Sequence, residues 1–362
     1  MRILLVKRDA SVAGDTTYLL MLAQGLVAHG HEVVFASGHG KLVSRFRDSG
    51  VRWWWTPPYP LAGPLLTRRA KNARIEAVVT TGRGNLRWAA YATARALGVP
   101  CVATLQDHIE PRQRIEEYEA VDAIVAVERP ILERAEELSA PGEKLHLWPR
   151  PVFGCDLGPA PREGFPVLWM NRMSGGKAWS AEALLEAAGK IHQQIPEARL
   201  TLVGGGSRAG KIRRRAAQVN HEIGSRIIRV EPFTLDPLAK MQSAALVIGG
   251  GYTCLEAIYN GRPAIAAGFG YQGPITSESI SEGYDKHFGD RNCPRGDAES
   301  LAEAIVTCHA SIKSEKGASP FSPSRDWFTL DHSLSGQAKR LEQLISEIGG
   351  SSSARSSHNL AA

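Results

Sequence analysis

Short apolar runs alternate with amphipathic stretches along most of this chain. Residues 3–6 form an apolar run that predicts a strand, 17–28 repeat apolar positions at helical spacing, and 33–37 predict a second strand. Strand, helix and strand at this separation make a βαβ unit, with two parallel strands and a helix packed across them. The alternation continues with strands at 77–80, 101–105 and 124–127 and helices at 86–96 and from Pro130. It lapses after Arg150, where Pro151, Gly154, Gly158, Pro159, Pro161, Gly164 and Pro166 crowd together in a composition that suits a linker. It then restarts: strands at 167–170, 199–203, 227–230, 244–248 and 264–267 interleave with helices at 181–193, 211–220 and 253–259.

This pattern predicts an α/β protein built from two Rossmann-like, doubly wound parallel-sheet domains. The expected divisions are an N-terminal domain over 1–155, a linker over 156–165 and a second domain over 166–325. A C-terminal segment over 326–350 follows, with a helix near 338–348, and then a tail over 351–362 too Ser-rich and apolar-poor to order. Open parallel sheets bind ligands beyond the carboxyl ends of their strands, so the active site is expected between the two halves.

Composition narrows the class. A chain of 362 residues exceeds what one core usually supports, which agrees with two domains. Hydrophobic residues at 43% and charged residues at 22% exclude a disordered chain. No apolar stretch approaches the roughly 18–20 residues that cross a bilayer, and the first run is too short for the apolar core of a secretory signal. A cytoplasmic location is expected, with peripheral contact at the inner face of a membrane left open. Cys101, Cys155, Cys254, Cys293 and Cys308 are scattered, without CxxC pairs or neighbouring His, which points to a reducing compartment and no metal site. A net charge of +6 favours anionic partners: nucleotide sugars, lipid phosphates or nucleic acid.

Two stretches carry chemistry. The strand at 167–170 ends in Asn171-Arg172-Met173-Ser174-Gly175-Gly176-Lys177, which puts two cations on a glycine-containing loop that feeds a helix. Arg offers a permanently charged fork and Lys a mobile point charge, a pair suited to a departing diphosphate. The bland alternative is a solvated loop. Further on, Gly249-Gly250-Gly251-Tyr252-Thr253 joins a buried strand to a helix that carries Glu256, expected in the first turn. Glycines there let a phosphate reach backbone N–H groups at a helix N-terminus. Glu256 either complements the helix dipole or accepts hydrogen bonds from a ribose diol.

Arg172 with Lys177, the turn Val203-Gly204-Gly205-Gly206, and Leu255-Glu256-Ala257 followed by Gly261-Arg262-Pro263 resemble the donor domain of family 4 glycosyltransferases. Gly14-Asp15 before the first helix, His29 to Val34 after it, and Val102 to Leu105 ending at Gln106-Asp107-His108 are similar too. The resemblance implies a GT-B fold, metal-independent transfer with retention of configuration, and a C-terminal helix crossing back to the first domain. It implies no cofactor beyond a uridine- or guanosine-diphosphate sugar as co-substrate. Carried over, Arg172 and Lys177 hold the diphosphate, Glu256 the ribose, His108 the donor sugar, and Gly14 lies near the phosphates. Asp15, Asn171, Gly205, Phe233 and the turn Gly250 to Thr253 complete the expected donor contacts, and Asp107, Trp54 and Arg83 are the acceptor candidates. The family commonly has two acids eight positions apart; here Ile248 stands where the first would be, so the sugar-facing carboxylate is missing.

Other signals are weaker. Gly204-Gly205-Gly206 with Glu231 imitates a dinucleotide fingerprint, but on the second strand of its domain instead of the first. Trp53, Trp54, Trp55 and Tyr59, with the basic run from Arg68 to Arg74, suit an acceptor loop at a membrane, or simply a strand with alternating indoles. Lys211 and Arg213 to Arg215 read as a solvated helix face, so nucleic acid is not expected as a partner. The reading is a glycosyltransferase acting on a carbohydrate, lipid-linked or small-molecule acceptor. A nucleotide-sugar epimerase on the same fold and a catalytically silent sugar-nucleotide binder are the alternatives.

Overall fold

A computed structural model describes residues 1–81, 84–106, 118–138, 140–161, 163–314 and 327–358, the last eight by backbone alone. The chain divides into two compact units. The first comprises Met1–Phe153 with Thr329–Ala362, and the second Gly154–Phe328.

In the first unit, strands β1 (Arg2–Val6), β2 (Glu32–Ser37), β3 (Arg52–Trp55), β4 (Ala77–Thr81), β5 (Cys101–Leu105), β6 (Ala123–Ala126) and β7 (Leu145–Leu147) form one sheet. Its order is β3-β2-β1-β4-β5-β6-β7, and every pairing is parallel. Leu4 lies beside Val34 on one side and Val78 on the other. Ile3 to Val6 are fully buried, as expected of a central parallel strand covered on both faces by helices. The helices are α1 (Gly14–Ala28), α2 (Val43–Asp48), α3 (Ala62–Asn72), α4 (Leu86–Leu97) and α5 (Arg129–Glu137).

In the second unit, strands β8 (Phe165–Met170), β9 (Ala198–Val203), β10 (Ile228–Glu231), β11 (Leu246–Gly249), β12 (Ala264–Ala267) and β13 (Tyr271–Pro274) run in the order β10-β9-β8-β11-β12-β13. Helices α6 (Trp179–Gln194), α7 (Ala209–Ile223), α8 (Pro237–Gln242), α9 (Tyr252–Tyr259), α10 (Ile280–Asp285) and α11 (Ala298–Lys313) complete it. Five strands are parallel, but β13 runs antiparallel to β12. Only residues 268–270 separate the two, too few for the helical crossover that a parallel return needs.

The region expected as a linker is packed onto the second unit. Arg262, 2% exposed, donates to the carbonyls of Leu157, Gly158 and Pro159 and to those of Met241 and Gln242. Its guanidinium thereby ties irregular backbone down where secondary structure cannot. Cys155 N–H donates to Asn260 Oδ1 at 2.7 Å, so the unit begins at Gly154.

The last helix, α12 (Leu334–His358), belongs to the first unit, where it packs against α1. Gln337, fully buried, donates to the carbonyls of Pro149 and Asp331. The helix runs to His358, well into the segment expected to lack order. Extending an established helix adds one hydrogen bond for each residue fixed, so even a Ser-rich continuation can follow it.

A buried charge closes the carboxyl-end side of the first sheet. Arg150 (1% exposed) bonds Glu128 (0%) at 2.6 Å through Nε, and reaches Gln106 Oε1 at 2.9 Å and the Gln106 carbonyl at 2.6 Å. This network ties the segments that follow β5, β6 and β7. Removing one partner strands a buried charge, so Arg150→Ala should lower the unfolding free energy of the first unit by about 3–5 kcal/mol. Urea unfolding followed by circular dichroism would measure the loss.

Candidate functional site

The two stretches expected to carry chemistry in the second unit meet at neighbouring strand ends of its sheet. β8 delivers Asn171, Arg172 and, after a short 3-10 turn (Gly175–Ala178), Lys177. β11, its neighbour, delivers the glycine turn and α9. Asn171 links the ends, since its Nδ2 donates to the Ala267 carbonyl at the close of β12 and its Oδ1 accepts from Arg172 N–H. Trp179 Nε1 donates to the Gly268 carbonyl at 3.0 Å and fixes the start of α6 against the same edge.

The three glycines at 204–206 have a packing role. A Cβ on Gly204 would strike the Asn171 carbonyl, and one on Gly206 would lie 2.6 Å from the Met173 carbonyl. Met173 N–H donates to the Gly205 carbonyl, and Arg208 N–H to that of Met173, so the turn after β9 clasps the Arg172 loop. Gly205 itself sits beside the half-exposed Phe233. Glu231, the acid of the apparent dinucleotide fingerprint, is already held by Arg229 at 2.9 Å and Lys240 at 2.6 Å.

Lys177 and Arg172 differ in state. Lys177 is largely buried and donates to Asp290 Oδ2 at 2.6 Å, with both side chains 12% exposed. Arg172 is exposed. Phe269, 44% exposed, lies beneath both cations, with its ring centroid 5.1 Å from Lys177 Nζ and 6.0 Å from the Arg172 guanidinium carbon. An apolar plate under two cations limits their hydration and strengthens their attraction for an anion.

Gly251, at φ +55°, precedes the first residue of α9, Tyr252, whose ring meets His287 edge-on at 6.3 Å. Glu256 is therefore the fifth residue of the helix, not in its first turn as expected, and helix-dipole complementation does not account for it. It is 5% exposed, and burial alone pushes its carboxyl up to about 8, with no hydrogen bond or cation among the described residues to offset it. A buried carboxyl without partners costs stability and is a functional-site candidate.

In the first unit, Gly14 opens α1. Asp15 pairs with the buried Lys7 at 3.3 Å and accepts from Thr16 N–H at 2.8 Å. Trp54 belongs to a shallow groove of about 530 Å³ lined by Arg52, Trp53, Trp54, Trp55, Arg69 and Asn72 along the edge strand β3. Arg83, Asp107 and His108 lie outside the described residues. Sequence reasoning missed Asp290, Gly268 and Phe269; the signal was a second strand-end glycine motif, Gly268-Phe269-Gly270, directly after β12.

Residues 12–152 match the Glycosyltransferase Family 4 model. A glycosyltransferase from Rickettsia africae ESF-5 superposes with a TM-score of 0.74 at 18% identity, covering 96% of this chain and 98% of that one. The chain has the GT-B fold. Anabaena Alr3699/HepE, solved in complex with UDP-glucose, gives a TM-score of 0.69 at 16% identity, over 96% of this chain and all of that one. A putative UDP-N-acetylglucosamine 2-epimerase from Listeria monocytogenes reaches 0.58 at 11% identity, over 93% and 94% of the two chains. No curated protein matches by sequence. The family match lies within the first unit's part of the chain; of the expected donor contacts, Gly14 and Asp15 fall there and the others in the second unit. Among the described residues no helix is long and apolar enough to cross a membrane, and no three His, Cys, Asp or Glu side chains gather as metal ligands.

Glu256 sets a pH test. Its folded pKa of about 8 exceeds the ordinary 4.5, so between those values the folded protein holds a proton that the unfolded chain releases. The contribution of Glu256 to stability then falls as pH rises through this window, opposite in sign to that of the buried His332, whose imidazole is pushed down to about 4. Glu256→Gln removes the Glu256 contribution, and the variant should gain on the wild type by a few kcal/mol, on the order set by the shift, between pH 5 and pH 8. Thermal or denaturant unfolding at the two pH values checks it.

Proposed function

We propose that this protein is a glycosyltransferase that moves a sugar from a nucleotide-diphosphate donor to an acceptor hydroxyl. The observation that carries this reading is the convergence, on adjacent strand ends, of two cations over Phe269 and a glycine turn feeding the helix that bears the buried Glu256. In this reading Arg172 and Lys177 stabilise the charge that develops on the departing diphosphate, and Glu256 faces the ribose diol. Two fixed cations supply that charge without a metal ion, which favours metal-independent transfer. Retention of configuration is the stereochemistry that the family resemblance implies.

A uridine diphosphate sugar is the first donor to test, because the Anabaena neighbour was solved with UDP-glucose; a guanosine diphosphate sugar is the second. The acceptor falls to the first unit. The β3 groove joins indole faces to the guanidinium groups of Arg52 and Arg69, which suits a sugar ring carrying or linked to an anion, including a lipid phosphate at a membrane surface. The epimerase-named neighbour supports a second reading, in which UDP-N-acetylglucosamine changes configuration with no acceptor present.

Lys177→Ala would take from the largely buried Asp290 the cation bonded to it and threaten the fold, so Lys177→Gln, which keeps a donor there, is the better variant. It should lose thermal stabilisation by UDP or GDP and lower sugar transfer by about a hundredfold or more. A thermal-shift panel of diphosphates and donor hydrolysis measured by diphosphate release check both. Unchanged turnover in this variant contradicts the assignment, and product formed from UDP-N-acetylglucosamine alone selects the epimerase.

A further inference from the structure

Asp290 has no part in the reading above, yet the second unit goes to some length to place it. His287, Phe288 and Asn292 adopt left-handed backbone at φ +48°, +49° and +49°, with Gly289 at +82° between them. Non-glycine residues adopt such geometry at a cost and keep it only where the surroundings enforce it. Here Phe288 is fully buried, the Gly283 carbonyl accepts from Phe288 N–H, the His287 carbonyl accepts from Gly251 N–H at 3.1 Å, and the Gly289 carbonyl accepts from Gly270 N–H at 2.7 Å. The loop is stitched to both glycine turns.

The Asp290 carboxylate fills a notch that those glycines leave. A Cβ on Gly250 or Gly251 would lie 2.9 Å from one of its oxygens, and a Cβ on Gly268 would strike Oδ1. Phe269 N–H donates to Oδ1 at 3.3 Å and Lys177 to Oδ2 at 2.6 Å. A carboxylate beside the turn expected to receive a phosphate would repel it, so its useful partner is an uncharged part of the ligand that donates hydrogen bonds. His287 Nε2 also lies 4.0 Å from Oδ2; an ionised carboxylate has about four acceptor sites, and the two bonds together with this imidazole leave room for a hydroxyl donor. Lys177, with three donors, keeps two for a diphosphate.

We propose that Asp290 reads the hydroxyl groups of the donor sugar, supplying from the loop after α10 the carboxylate that the chain lacks at position 248. Ile248 points into the hydrophobic core and lies between Trp169 and Ile265 in the sheet, so no side chain there reaches the site. Lys177 stands between the two halves of the donor, one face to the diphosphate and one to the carboxylate that reads the sugar. The inference rests on the donor-site reading given under Proposed function.

The test is calorimetric titration of the wild type, Asp290→Asn and Asp290→Glu with UDP, GDP, ADP and dTDP and with their glucose conjugates. Asp290→Asn preserves shape, and Asp290→Glu preserves charge while displacing it. For the nucleotide that binds, both variants should keep or tighten the bare diphosphate, while the affinity of the sugar conjugate relative to it should fall about tenfold or more. An unchanged ratio overturns the inference. So does a parallel weakening of both ligands, which a merely structural role produces, or a parallel tightening, which marks Asp290 as a competing anion. If no diphosphate binds the wild type, the donor-site reading itself fails and takes this one with it.

Discussion

At the carboxyl ends of β8, β9, β11 and β12 the backbone runs so close to itself that no side chain fits between the turns. Gly204 and Gly206 let the turn after β9 clasp the Arg172 loop, and Gly250, Gly251 and Gly268 leave the notch that Asp290 enters. The placement of the Arg172 loop and of Asp290 follows from this crowding. Arg172 and Lys177 stand at a fixed height because their loop cannot move away from β9, and α9 begins where it does because Gly251 turns the chain at positive φ. A single Cβ in the notch would displace either backbone or the carboxylate, and packed interiors have little give.

Buried charge does the complementary work of holding irregular segments. Arg150 gathers the segments after three strands of the first sheet, Arg262 ties five carbonyls in the second unit, and Lys177 holds the strained loop through Asp290. The first two have their hydrogen bonds met inside the protein and are structural. Lys177 differs because it also adjoins the exposed Phe269, and its partner Asp290 adjoins the glycine turn. Glu256 is the converse, a carboxyl buried with no partner among the described residues, whose raised pKa records the missing interaction.

Most of the fold was legible because parallel strands buried on both faces read as unbroken apolar runs; β1, β5, β8 and β12 are examples. The antiparallel β13, with the sequence Tyr-Gln-Gly-Pro, carries no such run and went unread. The helix α11 was missed although Asp297 caps it through Ser300 N–H, a signal visible in the sequence. At the site, the cations and glycines were readable as residue types at a strand end. Their partners were not: Asp290 meets Lys177 across 113 positions, and no local pattern reports a contact of that range. The Pro- and Gly-rich stretch looked like a linker because composition cannot show that Arg262 pins it.

In the proposed site the diphosphate of a donor sits at the strand ends of β8 and β11, between Lys177 and the start of α9. The most direct measurement is a crystal structure of the protein with UDP or the diphosphate that stabilises it most. Phosphate density is expected within hydrogen-bonding distance of Lys177 and Arg172, with the ribose against Glu256. Density placed instead against the turn after β9 with the ribose at Glu231, or in the first unit alone, would contradict it.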